Sequence, residues 1–390
     1  MVTPLLPHRG SAAGGALVMH GQLAELARRH EVTLATLAGP DSAEGAAVDE
    51  VRRLGVDVRP VWRHRAPGGA RLVNRARLAR EWLRGDQPLR TLKFRDPHLQ
   101  ELVDRVAHER RFDVVQVEDN ALGTYRYPEG VPTVLTEHEV RAGPSSAGRG
   151  GLERGRWIAY QRRVWSRFDR VQVFTERDAV ALRALAPEVA DRLRVNPFGV
   201  TPGPAADPAR EAAGEVVFVG SFYHPPNVDA ALWLGQEIFP LLRGLAPTAH
   251  LTIVGIGPPP SVRALAGPGV TVTGRVERVE PFLERAQVVL APLRLGGGMR
   301  VKVLQAMGLG KAVVTTPLGA EGLGPGNVAP PLAAAEDAAG IARETARLLG
   351  AAAAREDLGR RARAFVLEHH GWPAYVRRLE AVYAELGVAS

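Results

Sequence analysis

The chain contains no cysteine among its 390 residues. That excludes disulfides, a thiolate nucleophile and cysteine-ligated zinc. Aromatic residues make up only 6%, and no Phe or Tyr platform is interleaved with the cations, so stacking on nucleic acid has no support. No apolar run approaches the roughly 20 residues needed to cross a bilayer. Met1 runs straight into VTPLLPHRG, without the charged start and apolar core of a secretory leader. These absences set a cytoplasmic expectation. Also missing are an Asp-x-Asp pair, an HExxH helix and a GxxxxGK[ST] loop. His369 and His370 are adjacent, which suits neither one helix face nor a chelate. No metal site and no cofactor are expected.

What is present is a globular composition, 45% hydrophobic and 24% charged. A chain of 390 residues exceeds one ordinary core, so two domains are expected. The formal charge is +8. Arginines cluster at Arg71, Arg75, Arg77, Arg80 and Arg84, and again from Arg154 to Arg170. Their helix-like spacing reads as solvated helix faces; the alternative is peripheral docking on an anionic membrane or an anionic acceptor.

Short β-branched runs alternate with helical patterns, the signature of parallel sheets wrapped by helices. The first half offers Val32–Leu37, Val56–Val61, Val114–Val117, Thr133–Thr136, Val171–Thr175 and Leu193–Val195, with Met1–Thr3 as the tail of a shortened first strand. The second half offers Val216–Val219, Leu251–Val254, Val270–Thr273, Val288–Ala291 and Ala312–Thr315. Between them, Asn196–Arg210 is rich in proline and glycine and reads as a linker. Ala333–Leu386 reads as almost wholly helical, and the amphipathic WPAYVRRLEAVYAEL segment from Trp372 is placed back across the linker. The expected fold is α/β, with two facing Rossmann-like, doubly wound parallel-sheet domains. Their expected spans are 1–199 and 200–370, with 371–390 as a returning C-terminal helix.

The most informative run is GGGMRVKVLQAMGLGKAVVTT, Gly296–Thr316. A glycine-rich turn from strand to helix lets backbone amides approach an anion, and the helix N-terminus adds about half a positive charge. Lys302 or Arg300 can neutralise a phosphate there. Val301, Leu304 and Met307 recur as the sheet-facing side, while Gly298, Lys302 and Gln305 form another stripe able to meet a ligand. Arg300 contributes only if it still lies in the loop. A second glycine turn, Gly14-Gly15, precedes an amphipathic helix in the other domain. Ligands of open parallel sheets bind beyond the carboxyl ends of the strands. That rule selects Glu137-His138-Glu139, Gly220-Ser221, Gly255 and Gly274-Arg275-Val276. His138, flanked by carboxylates, reads equally as catalyst or structural hydrogen-bonder.

Together these segments resemble the bacterial retaining glycosyltransferases of family 4. The matching pieces are Gly14-Gly15, VLTEHEV around His138, NPFGV at Asn196, FVGSFYHPPNVDA from Phe218, LTIVGIGP, VTVTGRV and GGGMRVKVLQAMGLGKAVVTTPLGAEGL. The resemblance implies two facing Rossmann-like domains (the GT-B architecture). It implies metal-independent transfer of a sugar, with retention, from a nucleotide-diphosphate donor to a small-molecule, glycan or lipid-linked acceptor. The C-terminal domain would hold the donor and the N-terminal domain the acceptor. Lys302, with Arg300, would bind the diphosphate at Gly296, Gly297 and Gly298. Gln305 would take the place of the family's ribose-binding glutamate, and Gly274, Arg275 and Val276 would frame the base. Gly220, Ser221, Gly255 and Glu321 complete the donor side, while His138, Gly14 and Gly15 would lie by the donor sugar and acceptor. The family's two glutamates, eight positions apart, are here Gly297 and Gln305. The usual arginine and lysine after the first strand of the second domain are absent from GSFYHPPN. Two alternatives stay open: a nucleotide-sugar epimerase or hydrolase using His138 with Glu137 or Glu139, and a non-catalytic nucleotide-sugar-binding partner subunit.

Overall fold

The computed structural model describes residues 1–11, 14–39, 42–63, 68–138, 140, 151–296, 300–324 and 328–388. The chain divides into two compact units, Met1–Gly199 with Trp372–Ser390, and Val200–Gly371.

The first unit holds β1 (Val2–Thr3), β2 (Thr33–Ala38), β3 (Asp57–Trp62), β4 (Val115–Glu118), β5 (Thr133–Glu137), β6 (Arg170–Val173) and β7 (Leu193–Val195). They form one parallel sheet in the order β3-β2-β1-β4-β5-β6-β7. Every residue of β2 and β4 is buried, as expected when helices cover both faces. β1 is short because only Val2 and Thr3 pair, yet it lies at the centre, between β2 and β4. The strand order reverses there, which opens a crevice beyond the carboxyl ends of β1 and β4.

The Trp372–Ala384 helix belongs to this unit. Its Trp372, Tyr375, Val376, Leu379, Val382 and Tyr383 recur at steps of three and four and are buried, so one apolar stripe docks it. It packs on the Gly14–Leu26 helix, where a Cβ on Gly21 would sit 2.0 Å from the Trp372 indole. A Cβ on Gly199 would sit 2.4 Å from the same ring.

The second unit holds β8 (Glu215–Val219), β9 (His250–Val254), β10 (Val270–Gly274), β11 (Val288–Ala291), β12 (Ala312–Thr315) and β13 (Ala333–Ala334), parallel throughout, in the order β10-β9-β8-β11-β12-β13. Its reversal falls between β8 and β11. β13 is the exception within Ala333–Leu386, which reads as almost wholly helical. A strand of two residues carries no visible period, and only pairing with Val314 and Thr315 of β12 creates it. Most strand limits move by one residue because polar residues such as Glu118, Glu137 and Glu215 continue the pairing beyond the apolar run. No helix among the described residues is long and apolar enough to cross a membrane.

Candidate active site

In the second unit, glycines stand at the carboxyl ends of β8, β9 and β10, on the side where the strand order reverses between β8 and β11. Gly220 N–H donates to Val254 O (2.8 Å), and Gly255 N–H donates to Gly274 O (3.2 Å), which ties the ends of β8, β9 and β10 together. A Cβ on Gly255 would lie 1.6 Å from Gly220 O, so no side chain fits. Gly274 turns at φ +71°. Arg275, after it, is exposed, and Val276 is half-buried. The Ser221 carbonyl accepts from His224 N–H (3.2 Å) and Asn227 Nδ2 (2.8 Å), which anchors this loop on the Pro225–Trp233 helix.

After β11, Gly296 turns at φ +95°, and its Cβ would lie 2.7 Å from Pro226 Cγ. Gly297 and Gly298 lie outside the described residues. Arg300 is the N-cap residue of the Val301–Gly308 helix, with φ −89° and ψ 47°, so it does remain in the loop. Its guanidinium is buried, and Nη2 donates to Gly296 O and to Leu318 O, both at 3.2 Å. Arg300 thus fastens the glycine turn, a role its spacing did not suggest. The Arg300 side chain makes no cap bond, so among the described residues the first-turn amides are left for an anion.

The sheet-facing side of this helix is Val303, Leu304, Ala306 and Met307; Val301 is only half-buried. Leu304 and Met307 of the expected stripe are therefore buried, while Val301, the first residue of the helix, is covered only in part. Lys302 and Gln305 are half-buried, one turn apart on the remaining face. Burial pushes the Lys302 ammonium down to about 8, with no opposing charge as a cause. Among the described residues no hydrogen bond or ion pair reaches its Nζ, or the Gln305 side chain. Glu321 is exposed at the C-cap of the Pro317–Ala320 helix, after β12. His224 was not singled out by sequence; its Cε1 lies 3.9 Å from where a Gly296 Cβ would stand.

In the first unit, the helix after β1 begins at Gly14, which is exposed, and Gly15 follows. A Cβ on Gly15 would lie 3.4 Å from His138 Nδ1. His138 follows β5, and its Nε2 lies 2.8 Å from Glu118 Oε2 at the end of β4. The ring stands edge-on to Phe174, with centroids 5.2 Å apart. The expected carboxylate partners of His138 were its neighbours Glu137 and Glu139. Glu139 lies outside the described residues, and Glu137 is directed elsewhere. Its carboxylate accepts from Asn120 Nδ2 (2.8 and 2.9 Å) and from Trp165 Nε1 (2.8 Å). The period of two explains this: Thr136 and His138 share one face of β5, and Glu137 takes the other. Burial alone would lower the His138 pKa, but the hydrogen bond and charge of Glu118, with Asp119 and Glu137, raise it above the ordinary imidazole value.

Asp119 completes this corner. It holds φ +73°, alone among the described non-glycine residues, while its carboxylate caps Ala121 N–H (2.9 Å) and pairs with Arg90 (3.1 Å). Such a backbone costs about 1–3 kcal/mol and collects at functional sites. Nothing in VVQVEDN announces either Glu118 or Asp119, which read as the end of an ordinary strand.

Comparison with known proteins agrees with this geometry. The family model for "Glycosyl transferases group 1" matches residues 213–351, and that for "Glycosyl transferase 4-like domain" matches residues 13–199. No curated protein matches the sequence. Among solved structures, Anabaena HepE in complex with UDP and glucose is similar at 14% identity, with a TM-score of 0.66 over 99% of this chain and 100% of that one. Sucrose-phosphate synthase from Thermosynechococcus elongatus is similar at 16% identity, with a TM-score of 0.66 over 100% of this chain and 99% of that one. TarM is similar at 11% identity, with a TM-score of 0.56 over 69% of this chain, which spans 54% of TarM. At these identities the likeness is one of fold, two Rossmann-like parallel-sheet domains of GT-B type. The two family models fall one on each unit and together take in most of the sequence, so the chain belongs to the group 1, family 4-like glycosyltransferases.

Proposed function

We propose that this glycosyltransferase takes its sugar from a nucleotide-diphosphate donor held by the second unit, and transfers it with retention and without a metal. The observation that carries the reading is the half-buried Lys302 ammonium, which meets no charged partner among the described residues, one residue inside a helix N-terminus that its N-cap side chain leaves open, behind a glycine turn. A cation in that state is completed by an anion. A diphosphate there accepts the helix amides and the ammonium together, and both act where negative charge grows as the nucleotide departs. Arg300 keeps the Gly296 turn in shape, with Gly297 and Gly298 assigned to the same loop. Gln305 is assigned to the ribose as a neutral donor, and Gly274, Arg275 and Val276 to the base. Gly220, Ser221 and Gly255 give the floor of the donor site, and Glu321 its far side. His138, Gly14 and Gly15 are assigned to the donor sugar and the acceptor, which is a small molecule, a glycan or a lipid-linked glycan. Peripheral contact with an anionic membrane is proposed for the Gly68–Arg84 helix, where Arg77, Arg80 and Arg84 are exposed beside Val73 and Leu83.

The test is calorimetry with nucleoside diphosphates on the full chain, followed by turnover with the matching sugar nucleotide. Lys302→Ala is expected to weaken diphosphate binding by about tenfold or more and to cut turnover by orders of magnitude, while the circular dichroism spectrum stays unchanged. Normal turnover in that variant would remove the assignment.

A further inference from the structure

Glu118 is fully buried, at 0% exposure, and four hydrogen-bonding groups converge on its two oxygens. Gln22 Nε2, Gln116 Nε2 and Thr136 Oγ1 each lie 3.0 Å from Oε1. Oε2 is left to His138 Nε2, at 2.8 Å. A carboxylate met only by donors acts as an acceptor on every side, so the His138 Nε2 must carry the hydrogen. The other ring nitrogen, Nδ1, is the one beside Gly15, at the exposed start of the Gly14–Leu26 helix. Phe174 stacks edge-on and blocks rotation of the ring.

The braces of Glu118 are themselves braced. Tyr375 Oη donates to Gln22 Oε1 (3.2 Å) and accepts from Gln172 Nε2 (2.9 Å), and Tyr383 Oη donates to Gln116 Oε1 (3.0 Å). Both tyrosines lie on the Trp372–Ala384 helix. A network this complete around one carboxylate, in the interior of a sheet, exceeds what packing of β4 against β5 requires.

We propose that Glu118 is a positioning residue of this enzyme. It holds His138 with Nε2–H turned into the sheet and Nδ1 presented beside Gly15, and its carboxylate, 2.8 Å from the ring, favours the imidazolium, which donates from Nδ1. Among the described residues, the charged groups that act on the ring are Glu118 and Asp119 from the end of β4 and Glu137 from its own strand. The negative charge of Glu118 also reaches the Met1 amine, Tyr375 and Tyr383, and favours the protonated form of each. An imidazolium there suits an oxygen that gains negative charge, such as a sugar hydroxylate or a phosphate oxygen. The identity of that ligand rests on the transferase reading, whereas the state of His138 does not.

The experiment is a pH titration of the full chain labelled with 15N-histidine, His138 being assigned through His138→Asn. In the wild type, Nε2 is expected to stay protonated, with a titration midpoint above the ordinary 6.5. Glu118→Gln keeps a hydrogen-bonding group but removes the charge. It is expected to lower that midpoint by about one pH unit or more, to move the alkaline limb of the kcat/KM profile by the same amount, and to lower kcat by about tenfold or more with KM for the donor little changed. Glu118→Asp is expected to restore part of the kcat. A wild-type midpoint at or below the ordinary value overturns the proposal even if Glu118→Gln fails to fold. So does a folded Glu118→Gln whose midpoint and pH profile match the wild type. Failure to transfer any sugar would instead overturn the function, and the titration would still decide the role of Glu118.

Discussion

A half-buried ammonium that meets no counter-charge among the described residues is held at a cost. The Lys302 pKa of about 8 against 10.5 corresponds to about 3 kcal/mol. Between pH 8 and 10.5 the unfolded chain binds the proton that the folded chain has lost, so stability rises with pH in that window. Below pH 8 the full cost is present. Lys302→Met is therefore expected to raise the unliganded melting temperature at neutral pH and to flatten the alkaline rise, while abolishing stabilisation by nucleoside diphosphate. Differential scanning fluorimetry across pH, with and without nucleotide, measures both. Gly296 presents the opposite case. Any side chain there adopts a disfavoured φ and meets Pro226, so Gly296→Ala is expected to lose about 1–3 kcal/mol in urea unfolding.

At the scale of elements, the Gly14–Leu26 helix and the Trp372–Ala384 helix meet at one indole. Alanine in place of a mid-helix glycine ordinarily stabilises by about 1 kcal/mol. At Gly21 the new methyl would enter the Trp372 ring, 2.0 Å away. Gly21→Ala is thus expected to destabilise the first unit by about 1–3 kcal/mol, with a shift in tryptophan emission on urea titration. A gain in stability would show that the ring has room to move. The sequence displayed the amphipathic pattern of both helices, but not the meeting of Gly21, Gly199 and Trp372. Residues separated by more than a hundred positions leave no periodic trace of such a contact.

Over the whole molecule, the C-terminal helix decides the division of the chain. It is last in sequence but belongs to the first unit, to which Arg170 and Arg194 also bind it through Glu385 at 3.0 and 2.5 Å. Truncation after Gly371 is expected to strip hydrogen-exchange protection from β1–β7 and to leave β8–β13 protected. Equal loss in both units would contradict the division. The second arginine cluster is partly absorbed by packing: Arg162 pairs with Glu188, Arg163 with Asp86, and Arg156 lies over the Trp82 ring. Arg77, Arg80 and Arg84 stay exposed. Co-sedimentation with vesicles rich in anionic lipid is therefore expected at low salt and lost at high salt. It should weaken when these three arginines are replaced by serine.

The sequence by itself determined the strands other than β13, the glycine turns and the placement of His138 beyond β5, because hydrophobic period, backbone freedom and strand direction are all local properties. It also carried the pairing of a glycine turn with Lys302, since one turn of helix fixes that spacing. Tertiary structure alone decided which carboxylate meets His138, what Arg300 holds and where the last helix docks. Sheet register sets Glu118 opposite Thr136, and so beside His138, while the pleat turns Glu137 away. Register is a relation between strands, and no single stretch of chain contains it.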